Sequence, residues 1–126
     1  MKTNEWLSYL LEQHRAEFEE RLDGEIKGRG FTPPPGASAA LSTALMTDFD
    51  AETYEATPVA LTALAGALRA ENAGRAPEAL GKIWHKAEQL LGGYVAEEAE
   101  LTGGARRLAY LRLSEFGERA RGTLAG

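Results

Sequence analysis

The sequence predicts an all-α protein, a compact bundle-like or orthogonal domain of about five helices formed by 126 residues. Apolar residues recur at spacings of three and four, the period that places them on one face of a helix. Glycine and proline stand where such stretches would end, whereas the alternating patterns and tight turns of paired strands are almost absent. One domain of this length can bury roughly two-thirds of the surface of its unfolded chain. We therefore expect residues 1–126 to form a single domain.

The first helix is predicted over residues 4–27, and its apolar stripe includes a histidine. The stripe advances by three or four residues along Leu7, Leu11, His14, Phe18 and Leu22. Residues 28–37 follow as a connector rich in glycine and proline, because proline lacks the amide donor that a helix interior needs. This connector is expected to separate the first helix from the rest of the chain.

The second and third helices are predicted over residues 38–55 and 58–73. Ser38 can cap the second helix, which has a possible break around residues 48–50. Thr57 followed by Pro58 predicts the start of the third, since a capping hydroxyl often precedes a proline in the first turn.

The last two helices are predicted over residues 77–101 and 105–121. The stripe of the fourth is the clearest in the chain and consists of Leu80, Ile83, Trp84, Ala87, Leu91 and Tyr94. Gly92 and Gly93 either end or kink this helix, and residues 103–104 separate it from the fifth. The apolar face of the fifth helix is expected to include Ala109, Leu113, Phe116, Ala120 and Leu124, widened by Leu108 and Leu111.

Composition and charge narrow the class of protein. The chain has no cysteine, which excludes disulfides and thiolate chemistry, and its net charge is −5. Residues 105–126 hold five arginines and two acids, or +3, which leaves −8 on residues 1–104. An acidic body makes nucleic acid an unlikely partner. The longest weakly polar stretch is far shorter than a membrane span of about 20 residues, so we expect a soluble, cytoplasmic protein without a membrane partner.

The sequence contains no recognisable catalytic or metal-binding constellation. The acidic run that starts at Asp48 lacks the glycine and glutamate of a calcium loop, since Thr53 and Val59 stand at the sixth and twelfth positions. No nucleophile elbow or phosphate loop is present. We therefore predict no catalytic residues, no metal ligands and no cofactor, and we expect the protein not to be an enzyme.

Two places nevertheless suggest a binding site. His14 could ligate haem iron or respond to pH, although a partly buried histidine satisfied by Glu17 explains the same pattern. Arg106 and Arg107 stand at a helix start, where outward-pointing amides also attract anions. The alternative is a glycine hinge followed by ordinary surface arginines.

These observations favour a small non-enzymatic regulatory or assembly module that binds another protein or itself, most simply as a homodimer. The candidate surface is the apolar face of the first helix, with Trp6, Leu7, Leu10, Leu11 and Phe18. One alternative is a sensor that binds a small ligand or haem near His14 and Trp84. In helix number and spacing the chain is similar to the helical, haem-free sensor domains of stress-signalling regulators. A further alternative is nucleic-acid or anion binding through the C-terminal arginines.

Overall fold

The protein is all-helical in the part of the chain, residues 3–125, that the computed structural model describes, with side chains described for residues 5–124. No strand occurs in that range, which confirms the predicted fold class. Six helices occur there: α1 (Thr3–Gln13), α2 (Arg15–Gly28), α3 (Ala37–Ala51), α4 (Ala56–Asn72), α5 (Ala76–Glu97) and α6 (Gly103–Ala125).

The predicted first helix is divided in two at His14. This residue has φ −107° and ψ 14°, outside helical geometry. Backbone hydrogen bonds nevertheless continue across the break. The His14 amide donates to the Leu10 carbonyl, and the His14 carbonyl accepts from the Phe18 amide. Both segments pack on α3 and α5, but only α1 also packs on α6, so the chain must change direction between them. Packing rather than a glycine or proline therefore marks this boundary.

Helices α3, α5 and α6 also differ from the sequence prediction in where they end, break or begin. Helix α3 shows no break at Asp48 and ends at Ala51, where Glu52 takes a left-handed conformation with φ 56°. Helix α5 runs unbroken through Gly92 and Gly93. Helix α6 already begins at Gly103, because the Thr102 hydroxyl oxygen accepts the Ala105 amide at 3.1 Å and caps the first turn.

The connector between α2 and α3 is attached to the body. Phe31 is buried, and the guanidinium of Arg75 lies over its ring at 5.1 Å from the centroid. The same guanidinium donates to the Arg29 carbonyl, and the Thr32 amide donates to the Glu71 carboxylate at 3.0 Å. The proline segment therefore does not set the first helices apart from the rest.

One hydrophobic core draws side chains from all six helices. Helix α5 contributes the most, and the whole predicted stripe from Leu80 to Tyr94 is buried as expected. Helix α1 lies in contact with α3, α5 and α6. An amphipathic helix in contact with three others has its apolar stripe covered within the same molecule.

Candidate association surface

The predicted partner surface on the first helix lies in the core, which corrects the expectation from sequence. The side chains of Leu7, Leu10, Leu11 and Phe18 are all buried. They are covered by the chain's own helices and are not available to a partner. Trp6 alone remains half-buried, with its ring edge-to-face against Tyr9 at a centroid distance of 5.6 Å.

His14 stacks on an aromatic ring from α5. Its side chain is 34% exposed, its Nδ1 lies 3.7 Å from a Glu17 carboxylate oxygen, and its ring is parallel to that of Tyr94 at 4.1 Å. Tyr94 is buried, and burial, followed by the charge of Glu17, raises its pKa to about 12. Tyr94 therefore covers one face of the His14 ring, and Glu17 lies beside its Nδ1, the carboxylate neighbour expected from the sequence.

Trp84 belongs to a different part of the molecule from His14. It stands ten residues before Tyr94 on α5, which is about 15 Å along the helix axis. A cavity of about 250 Å³ between α5 and α6 is lined by Trp84, Leu91, Gly92, Leu113 and their neighbours, without His14. The structure therefore does not bring His14 and Trp84 into one ligand site, and this volume lies below the usual range for small-molecule pockets.

Arg106 is engaged inside the molecule. Its guanidinium donates to the carbonyls of Val95, Ala96, Glu98 and Leu101 at the end of α5 and in the following turn. These carbonyls have no helical amide partners, so the positive charge of the side chain caps the negative end of the helix dipole. The structure thus gives Arg106 a capping position rather than the anion-facing one suggested by the sequence.

The other C-terminal arginines also differ in availability. Arg121 pairs with the Glu88 carboxylate at 2.7 Å and 2.8 Å, and Arg112 lies over the Phe116 ring. Arg107 is exposed, and none of the hydrogen bonds or ion pairs found among residues 5–124 involves its side chain. Arg119 is exposed as well, so the cationic surface expected for nucleic-acid binding is reduced mainly to Arg107 and Arg119.

The exposed apolar surface lies on α6 instead of α1. Leu108, Tyr110 and Leu111 are 53%, 41% and 54% exposed. Beside them runs a shallow and mostly apolar groove of about 500 Å³, which is lined by Gly103, Arg106, Arg107, Tyr110, Leu111 and Ser114. Val59, the remaining large apolar residue that is exposed in the described range, lines a second shallow groove of about 540 Å³ between α3 and α4, whose other apolar residues are all alanines. Single apolar residues are ordinary on a surface, whereas a contiguous apolar patch is a candidate interaction site.

Helix geometry explains why these leucines face outward. Ala109, Phe116 and Ala120 are buried and define the inner side of α6. At about 100° per residue, Leu111 points roughly 160° away from the centre of that side and Leu108 roughly 100° away. The expectation that both leucines widen the buried face is therefore wrong. The angular position of Leu111 was a signal available in the sequence.

Charges of both signs share this side of α6 with the leucines. We define the outward face of α6 by the residues that lie within about 60° of Leu111 around the helix. They are Gly104, Arg107, Leu108, Leu111, Ser114, Glu115, Glu118 and Gly122. The face thus combines an apolar centre, small residues and both charge signs.

No group of three or more histidine, aspartate or glutamate side chains suited to a metal ion occurs among the described residues. Within the same range, no helix is long and apolar enough to cross a bilayer. The chain matches no known protein family, no curated protein and no solved structure. Inference about function therefore depends on the site itself.

Proposed function

We propose that this protein is a small, non-enzymatic regulatory or assembly module that acts by self-association through the outward face of α6. The observation that carries the proposal is the exposure of Leu108 and Leu111, one turn apart on this face, beside a shallow apolar groove that Leu111 and Tyr110 line. With the stripe of α1 buried, the apolar surfaces left on the described residues are this face and the groove between α3 and α4, and this face carries the larger side chains. Burying an exposed leucine contributes about 1.5–3 kcal/mol, which favours association.

A second copy fits this face better than a strongly charged partner would. Arg107 lies on one side of Leu111 along the helix, and Glu115 and Glu118 lie on the other. When two copies meet through this face, positive side chains of one copy can pair with negative side chains of the other. Dimers with two-fold symmetry use the same patch on both subunits and are the commonest oligomers.

The alternative of a haem or ligand sensor has weaker support. His14 and the cavity beside Trp84 are separate, and the cavity is small for a cofactor of the size of haem. Nucleic-acid binding also has weaker support, because Arg106 and Arg121 make contacts within the chain.

The experiment is sedimentation of the purified protein over a range of concentrations, comparing wild type with Leu111→Ser. We expect a concentration-dependent dimer that the variant weakens at least tenfold, because two leucines per dimer lose their burial. Since Leu111 is exposed in the monomer, its melting temperature should change little. Val59→Ser is the matched control, as Val59 is 70% exposed but lies on α4.

Two results would contradict self-association through α6. One is a wild-type protein that stays monomeric up to about 1 mM, where even an interface contributing about 4 kcal/mol is half saturated. The other is a dimer that is weakened equally by Val59→Ser and Leu111→Ser.

A further inference from the structure

The order of charges along α6 indicates how the two copies meet. We propose that they form an antiparallel pair of α6 helices, with the two-fold axis passing beside Leu111 and with two reciprocal ion pairs between Arg107 and Glu115 of the second copy. This inference rests on the self-association proposed above and adds its direction and register.

The register follows from symmetry. With the axis at Leu111, a residue four positions before it faces the residue four positions after it in the second copy. Arg107 therefore faces Glu115 of the second copy, and the symmetric contact repeats the pair. Leu108 and Ser114 of the second copy share a level along the axes but lie on opposite edges of the contact, about 60° to either side of Leu111. Because Leu111 packs against its own copy at the crossing, we expect the two helix axes to lie about 10 Å apart, the upper end of the usual range.

Two other arrangements of α6 bring like charges together. A parallel pair places Arg107 beside Arg107 and Glu115 beside Glu115. An antiparallel pair centred between Leu108 and Leu111 places Arg107 opposite Arg112 of the second copy. Like charges across an interface oppose association and exclude wrong registers. The arrangement centred on Leu111 avoids both repulsions.

The two proposed ion-pair partners are available in the monomer. Arg107 and Glu115 are exposed, and the hydrogen bonds and ion pairs found among residues 5–124 include neither side chain. Forming the intermolecular pairs therefore breaks no pair within one chain. Exposed ion pairs contribute modestly to affinity, but they set orientation and register.

A charge exchange tests the pairing. Arg107→Glu and Glu115→Arg should each weaken the dimer about tenfold, because two ion pairs become two like-charge contacts. The double variant should restore the dimer to within about threefold of wild type. At about 1 M salt, where the screening length is only about 3 Å, the single-variant defects should shrink. Arg69→Glu on α4 is the control, since Arg69 is exposed and the change in net charge equals that of Arg107→Glu.

Cysteine mapping tests the register independently, because the chain has no native cysteine. Leu111→Cys should give a disulfide-linked dimer, since only a residue at the axis lies close enough to its own copy. Two copies of Leu108→Cys are about 9 Å apart along the axes, too far for a disulfide. Mixing Gly104→Cys with Glu118→Cys should link the two different chains, because both positions lie within about 20° of the direction of Leu111 and stand at the same level in this register.

The outcomes separate this inference from the proposed function. If Leu111→Ser abolishes the dimer but the double charge variant is no better than the singles, self-association stands and this register is wrong. Efficient linking of Leu108→Cys to itself would overturn the antiparallel arrangement in favour of a parallel one. If Leu111→Ser has no effect, the proposed function fails together with the register.

Discussion

Asp48 is a buried carboxylate at the end of α3 that holds the start of α4. Its oxygens accept the backbone amides of Glu55, Ala56 and Thr57 at 3.2 Å, 3.0 Å and 2.7 Å, and also the Thr53 hydroxyl at 3.2 Å. These amides belong to the first turn, which has no helical acceptors. A residue from the preceding helix thus supplies the cap that the sequence assigns to the Thr57 side chain.

The charge of Asp48 is favoured in the folded state. Burial alone would raise its pKa, but the amides of Ala56, Thr57 and Glu55 lower the pKa below its ordinary value. We expect Asp48→Asn to reduce the free energy of unfolding at neutral pH by about 2 kcal/mol, because charge-assisted bonds are replaced by weaker ones. Thermal unfolding should show a melting temperature roughly 6–10 °C lower. Glu12→Gln on α1, which removes an exposed charge, is the control.

The difference in stability between wild type and Asp48→Asn should decrease as the pH is lowered. A depressed pKa contributes stability that is complete above the unfolded pKa of about 3.9 and is lost as the pH falls through the lower folded value. Wild type and Asp48→Asn should therefore converge in stability below about pH 4. A constant difference between them across that range would show that the Asp48 charge is not involved.

At the scale of elements, the turn between α5 and α6 is organised by one side chain. Arg106, in the first turns of α6, donates to four carbonyls at the end of α5 and in the turn. The two helices are thereby fixed at one end, which also sets the position of the outward face of α6. The residue proposed from sequence as an anion ligand instead joins two elements.

Replacing Arg106 with Ala should lower the free energy of unfolding by about 2 kcal/mol, because carbonyls that accept from a charged donor lose their partner. Chemical denaturation measures this difference, and Arg106→Lys should recover only part of it, since an ammonium cannot span the same acceptors. Arg69→Ala, at an exposed position on α4, should change stability by no more than about 0.5 kcal/mol. A similar small change for Arg106→Ala would mean that the guanidinium is free for another role.

At the scale of the whole molecule, the position of α1 among α3, α5 and α6 decides which apolar surface is free. Leu11 and Phe18, the candidates for a partner surface in the sequence, are fully buried. A charge introduced there would have to be taken out of water at a cost comparable with the total stability of a domain, about 5–15 kcal/mol.

We therefore expect Leu11→Glu or Phe18→Glu to abolish folding, which far-ultraviolet circular dichroism would show as loss of helicity. Leu111→Glu is the matched control, because the same substitution at an exposed leucine should leave the helices intact. If Leu11→Glu stayed folded and lost only its association, the first helix would be the interface after all.

Particular residues show how much could be predicted from the sequence. The stripe of α5 was predicted correctly because six apolar residues at helical spacing allow only one buried side. The division at His14 was missed, since no glycine or proline marks it. Leu108 and Leu111 were assigned to the wrong side of α6, because apolar character alone does not tell a buried leucine from an exposed one.

The sequence by itself determined the fold class, most helix positions and the buried stripe of α5, because helical periodicity and chain breaks are local properties. Only the tertiary structure decided that α1 is internal, that Asp48 caps α4 and that Arg106 caps α5. It also decided that the free apolar face belongs to α6. These features depend on contacts between residues in different helices, and local spacing does not specify which helix covers which face.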